Sequence, residues 1–246
     1  MQGNRAAFFD IDGTLARESM LIQHFKRLIK YGIIDEGEWI NRIRPRYHLY
    51  NQRYAEYDEY LDELTEVYKE NLKGLPRTVI DFTAQQVVDH DGDVVYKFTR
   101  DAILNHQRAG DLVFFVSGSP DFLIEKMARK YHVDAWRATT YCTDENGNFS
   151  SEVIPMWDSL SKSKVVREFI EKYQLDPQAC SAYGDTNGDF SMLKMLGHAV
   201  AINPSHRLLD MIRSDPELEA RADIVIERKD VIYTLGHDTR ARKSIH

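Results

Sequence analysis

The chain has 246 residues, a formal charge of −7 and an apolar content of 43%, which suits one α/β domain with a sizeable insertion or two modest domains. The acidic balance gives no basic footprint for a nucleic-acid backbone, and no apolar run approaches the ~20 residues of a membrane span. Cys142 and Cys180 are too few for a disulfide scaffold and lack zinc-ligand spacing, and the short N-terminus leaves no room for a signal peptide, so a cytoplasmic protein without nucleic-acid or membrane partners is expected.

Ala6–Phe9 is the first all-apolar run and reads as a buried parallel strand. It ends in Asp10-Ile11-Asp12-Gly13-Thr14. In a strand, residues i and i+2 point the same way, so both carboxylates are expected to face one point past the strand end. Two carboxylates this close repel unless a cation sits between them or one holds a proton. Gly13 lets the backbone turn with φ > 0, and successive N–H groups of such a turn can cradle an anion. The segment offers a nucleophilic carboxylate, a second carboxyl for proton work and a phosphate nest.

About a hundred residues separate Phe9 from the next strand-like run, Leu112–Val116, far more than one crossover needs. Residues 17–88 are rich in helix formers, tyrosine and charge, and read as a helical insertion. Gly32, Pro45 and Gly74-Leu75-Pro76 divide it into several helices. Within it Arg42, Arg44, Arg46 and Arg53 lie among Tyr47, Tyr50, Tyr54 and Tyr57. Arginine forks favour carboxylate or phosphate, though a tyrosine-packed surface with solvated arginines gives the same pattern. Asp89-His90-Asp91-Gly92-Asp93 reads as the turn back to the core, without the ligand spacing and distal Glu of a calcium loop.

Leu112–Val116 runs into Ser117-Gly118-Ser119-Pro120 before a helix expected over Phe122–Tyr131. A hydroxyl at a strand tip, beside a glycine and a helix N-terminus, suits an anion. Ser119 fits an N-cap, with Pro120 at the first helical position. Ser161-Lys162-Ser163-Lys164 opens the next helix, which continues to Tyr173. A lysine near a helix start opposes the macrodipole unless it meets an anion.

Further strands are expected at Ser181–Tyr183, Ala199–Ile202 and Ile224–Ile226, with helices at Phe190–Leu196 and Ser205–Arg213. This alternation predicts a doubly wound parallel sheet. Gly184-Asp185-Thr186-Asn187-Gly188-Asp189 puts two acids four residues apart on a glycine-rich turn directly after Ser181–Tyr183. Taken with Asp10 and Asp12 at the same sheet edge, oxygen-only ligands imply a hard cation, and Mg²⁺ suits phosphate chemistry. The polar tail His237–His246 is expected to fray.

These four segments, in this order, resemble the haloacid dehalogenase superfamily of aspartate-nucleophile phosphohydrolases. Within it the chain is most similar to the phosphoserine-phosphatase-like subgroup, whose helical cap follows the first motif. The resemblance implies an α/β core with a doubly wound parallel sheet over residues 1–16 and 89–246, and a helical cap domain over 17–88. It implies that Asp10 is the nucleophile and Asp12 the general acid/base, while Ser117, Gly118 and Lys162 hold the phosphoryl group along with Asp12. Lys164 is the alternative lysine. Asp10, Asp185, Asp189 and the carbonyl of Asp12 would surround Mg²⁺. The implied activity is Mg²⁺-dependent hydrolysis of a small phosphorylated metabolite through an aspartyl-phosphate. Phosphoryl transfer, as in a mutase, and phospholigand binding without catalysis are the alternatives on this fold.

The chain departs from the subgroup where amino-acid phosphatases carry a glutamate for the substrate ammonium. Ser19 stands there, with Glu18 one residue early. Gly188 also replaces a small polar residue or Asn, and the insertion is larger than in the amino-acid phosphatases. These departures argue for a phosphomonoester other than phosphoserine, with an anionic body if the arginines face the site.

Overall fold

A computed structural model describes residues 4–236, so the tail His237–His246 lies outside the described residues. Strand β1 (Ala6–Phe9) is followed by helices α1 (Met20–Lys30) and α2 (Glu36–Glu38), a π-helical stretch over Trp39–Ile43, α3 (Arg44–Asn51), α4 (Tyr57–Leu72) and α5 (Arg77–Asp91). Helix α6 (Lys97–Ala109) leads to β2 (Leu112–Pro120), α7 (Asp121–Lys130), β3 (Ala135–Thr143) and β4 (Phe149–Ile154). The remainder is α8 (Ser159–Tyr173), β5 (Ser181–Gly184), α9 (Phe190–Met195), β6 (His198–Ile202), α10 (His206–Arg213), α11 (Pro216–Glu219), β7 (Ala222–Arg228) and β8 (Val231–Leu235).

The strands form one sheet in the order β4-β3-β2-β1-β5-β6-β7-β8. The inner pairings are parallel, and only the outermost strands, β4 and β8, pair antiparallel. The winding reverses at β1: β2 and β3 extend to one side, β5 to β7 to the other. Such a switch point opens a crevice beyond the C-terminal ends of the central strands. Asp10 follows β1, Ser117 lies in the C-terminal half of β2 and Asp185 follows β5, so all three reach that crevice.

The period-2 alternation of β1 divides the core. Ala7 and Phe9 face one apolar cluster, with Phe25, Tyr60, Leu64, Tyr68, Val87 and Phe122. Ala6 and Phe8 face the other, with Phe114, Val166, Phe169 and Leu193. The helices of the insertion therefore bury their apolar faces against the sheet side of β1 rather than in a core of their own. Main-chain bonds add to this packing. Gly74 N–H donates to Phe149 O at 2.8 Å, Phe149 N–H to Leu75 O at 2.9 Å and Arg77 N–H to Gly147 O at 2.9 Å.

The structure departs from the sequence reading in three places. Helix α5 continues through Asp91 because Val87 and Val88 are buried at its end, so the turn is confined to Gly92-Asp93. Strands β3, β4 and β8 were not expected; β3 mixes Arg137, Thr139 and Thr140 into its run, and β4 and β8 are mostly exposed edges. Strand β2 extends to Pro120, so Ser119 is not a helix cap; Pro120 occupies that position without a side-chain bond. Among the described residues no helix is long and apolar enough to cross a membrane.

Candidate active site

The crevice is organised around a buried ammonium. Lys162, in the first turn of α8, is 3% exposed and lies 2.6 Å from Asp10 Oδ1 and 2.6 Å from Asp189 Oδ1. Lys164, two residues on, is exposed. The other oxygen of Asp189 accepts bonds from the N–H groups of Asp185 (3.1 Å) and Thr186 (3.0 Å). One side chain thus ties the turn after β5 to α8.

Asp10 and Asp12 diverge. Asp10 faces Lys162, whereas Asp12 turns toward the start of α1 and the tip of β2. Its Oδ1 accepts Met20 N–H at 2.9 Å, and its Oδ2 accepts Ser19 Oγ–H at 3.1 Å and Ser119 Oγ–H at 2.5 Å. Ser117 is fully buried, and its Oγ accepts Ser119 N–H at 3.1 Å. Asp185 is held by Thr14, whose hydroxyl donates to Oδ1 at 3.0 Å. Gly13 has φ +81°, and a Cβ there would stand 2.1 Å from Asp185 Oδ2. Only glycine gives both the turn and this close approach.

Ser119, Ser19 and Thr14 bond the acids of the site in ways that sequence reasoning missed. Thr14 had a faint signal, as a hydroxyl next to the glycine turn. Ser119 read as a helix cap and Ser19 as a substituted glutamate, and neither reading pointed to their shared partner, Asp12.

Charge makes the arrangement demanding. Burial raises the Asp10 carboxyl to about 7, with Lys162 pulling it down and Asp189 and Asp12 pushing it up. Burial also lifts Asp185 well above the carboxylate range, reinforced by Asp10 and Asp189. Asp12 is raised by burial against the bonds from Met20, Ser119 and Ser19. For Lys162 burial alone would favour the neutral amine, but Asp10 and Asp189 outweigh it and hold the ammonium. One ammonium among so many carboxylates leaves a negative surplus.

Oxygen atoms of Asp10, Asp185 and Asp189 lie within 4.8 Å of one another. An all-carboxylate set with excess charge fits a hard divalent cation. The Asp12 carboxylate stands outside this group, bonded as described above. Any contribution from Asp12 would come from its main chain.

Residues flanking the acids bear on the substrate. Ser19 is buried on Asp12, while Glu18 is exposed, bonded to Gln23 and 3.4 Å from Lys26. Neither offers a free carboxylate to the crevice. The arginines of the insertion have partners on its own surface: Arg42 meets Glu38, Glu63 and Glu70, Arg46 meets Glu59 at 3.7 Å, and Arg53 lies over the Tyr50 ring. The anionic-body expectation therefore loses Arg42 and Arg46 as free cations.

The model of haloacid dehalogenase-like hydrolases matches residues 7–194. The chain belongs to that family. It is 27% identical over 219 residues to a phosphoserine phosphatase of Mycobacterium tuberculosis, covering 85% of this chain and 68% of the relative. It is 24% identical over 215 residues to a histidinol-phosphatase of Neisseria meningitidis, covering 82% and 91%. Among solved structures, a protein of unknown function from Bordetella pertussis superposes with a TM-score of 0.70 at 20% identity, over 86% of this chain and 95% of its own. At that identity the likeness is one of fold. As a haloacid dehalogenase-like hydrolase the chain is an enzyme, with its acids at the sheet edge where the fold opens.

Proposed function

We propose that this hydrolase cleaves small phosphomonoesters through an aspartyl-phosphate on Asp10. The observation that carries the reading is the division of labour between two nearby acids: Asp10 is held against Lys162, and Asp12 is held apart by three donors. Environments that separate two carboxyl groups in this way mark different roles. The names of the two relatives, both phosphatases, support it.

In the first step an Asp10 oxygen attacks phosphorus, the bond from phosphorus to the ester oxygen breaks, and Asp12 gives that oxygen its proton. In the second, Asp12 takes a proton from a water that attacks the phosphoryl group, releasing orthophosphate and restoring Asp10. Lys162 and the Ser117–Gly118 segment would neutralise and orient the phosphoryl oxygens. Asp10, Asp185, Asp189 and the Asp12 carbonyl would hold Mg²⁺, which supplies further charge neutralisation when bound. Residues 17–88 act as the cap, with α5 carrying the boundary a few residues on.

The substrate is not phosphoserine on this reading, because the ammonium of an amino-acid phosphate would meet Ser19 instead of a carboxylate. The test is Mg²⁺-dependent release of orthophosphate from p-nitrophenyl phosphate, with Asp10→Asn alongside. Turnover abolished in a folded Asp10→Asn protein is expected. Near-normal turnover by that variant rules out the covalent route.

A further inference from the structure

Trp157 sits between the phosphoryl loop and the acid turn. A Cβ placed on Gly118 would lie 2.9 Å from the Cβ of Trp157, and one placed on Gly188 would lie 2.5 Å from its carbonyl oxygen. Gly118 follows Ser117, and Gly188 precedes Asp189. Both neighbours are thus bare where the main chain of Trp157 passes, and any larger residue would push it away.

The flanking main chain is fixed on both sides. Met156 N–H donates to Thr139 Oγ1 at 3.1 Å, and Asp158 caps α8 by accepting from Leu160 and Ser161 N–H, each at 2.9 Å. The indole itself is 48% exposed. Trp39 and Trp136 pack against the core beneath the insertion, whereas Trp157 joins neither apolar cluster, and among the described residues no ring stacks on it. The backbone of Trp157 is thus fixed beside Gly118 and Gly188, while about half of the residue stays open to solvent.

Exposed apolar residues lie near Trp157 in sequence. Ile154 and Leu160, on either side in sequence, are exposed at 55% and 66%. Tyr57, at the start of α4, is partly buried, and desolvation, then the charges of Asp12 and, more weakly, Asp185, push its phenol up. Trp157 thus stands beside the phosphoryl loop and the acid turn, while Arg42 and Arg46 of the insertion are engaged with glutamates.

Building on the phosphatase reading, we propose that Trp157 is the wall against which the leaving group lies, and that the substrates are phosphomonoesters carrying a planar ring close to the ester oxygen. Offset stacking on the indole would align the ester bond with Asp10. Trp157 is then a positioning residue that selects among esters without entering the chemistry.

The test compares 2-phenylethyl phosphate with n-butyl phosphate, both primary alkyl esters, so leaving-group chemistry is matched. Wild-type protein is expected to favour the ring ester about tenfold in kcat/KM. Trp157→Ala should erase that preference, a tenfold change worth about 1.4 kcal/mol, mainly through KM, and Trp157→Phe should restore most of it. No ring preference in the wild type, an intact preference in Trp157→Ala, or equal losses for both esters would overturn the inference. Activity on p-nitrophenyl phosphate distinguishes these outcomes from failure of the phosphatase reading, in which no ester is cleaved at all.

Discussion

Ser119 donates a 2.5 Å hydrogen bond to Asp12, joining residues 107 positions apart in sequence. Hydrogen bonds to a charged partner contribute about 1.5–3 kcal/mol, so this contact helps set where Asp12 points. Ser119→Ala is expected to lower kcat on an alkyl phosphate by roughly tenfold or more, and on p-nitrophenyl phosphate far less, since that leaving group needs little protonation. Asp12→Asn should show the same contrast, enlarged. Equal losses on both esters, in steady-state kinetics, would remove Asp12 from the role of acid.

Lys162 makes a second, sharper test. Taking away its ammonium leaves Asp10 and Asp189 facing each other in a buried site, and breaking such a group costs about 3–5 kcal/mol. Urea melts of Lys162→Ala should show a loss approaching that size together with loss of turnover. Lys164→Ala, at an exposed position, should stay within about 0.5 kcal/mol of the wild type. The opposite ranking would transfer the phosphate-binding role by two residues.

Metal dependence is readable without turnover. At a Mg²⁺ concentration near 100 times its Kd, binding to the native state alone stabilises it by about 2.7 kcal/mol, visible as a rise in Tm. Asp185→Asn should abolish that rise. Its melting temperature in chelator should equal or exceed that of the wild type, because a buried, repelled carboxylate has gone. Ca²⁺ should inhibit, since it takes a looser and higher coordination. An unchanged Mg²⁺ response in the variant, or full activity in excess chelator, contradicts the assignment.

His24 gives the protein an acid sensitivity unrelated to its acids. The ring bridges Tyr68 Oη at 2.5 Å and Thr83 Oγ1 at 2.7 Å. Burial, with Lys126 and Arg27 adding, lowers it from 6.5 to about 3. The unfolded chain therefore binds the extra proton between those limits and the folded chain does not. Stability must fall as pH drops below 6.5, by up to about 1.4 kcal/mol per unit, and level off near 3. His24→Asn should flatten the stability–pH curve by that slope between pH 6 and 4, as followed by denaturant midpoints. Parallel curves for the two proteins would mean that His24 does not carry the effect.

The parts of this molecule that were legible in its sequence are those with local signals. Ala6–Phe9 announced itself by an unbroken apolar run, and Asp10, Asp12, Asp185 and Lys162 by acids or a lysine placed where strands end and helices begin. Strand β3 was hidden because only one side of it is consistently apolar, and Arg137 interrupts the pattern. The end of α5 was misread because Asp89 and Asp91 are turn formers, while the burial of Val87 and Val88 that holds them helical is a tertiary fact. Ser119 fitted a cap by local grammar, yet its partner lies on another strand's end. Gly118 read as part of the phosphoryl loop and Gly188 as a departure from the family pattern, while their shared neighbour, Trp157, is a contact seen only in three dimensions.

The main-chain bonds between the α4–α5 connection and the β3–β4 hairpin restrict how the enzyme can breathe. Swinging the whole insertion away from the sheet would break the links at Gly74, Phe149 and Arg77 together and expose the aromatic packing of Phe122 and Phe149. Smaller displacements confined to the far end of the insertion, over residues 33–56, leave those links intact. Amide exchange would record this as slow protons at Gly74, Arg77 and Phe149 beside faster ones along α3.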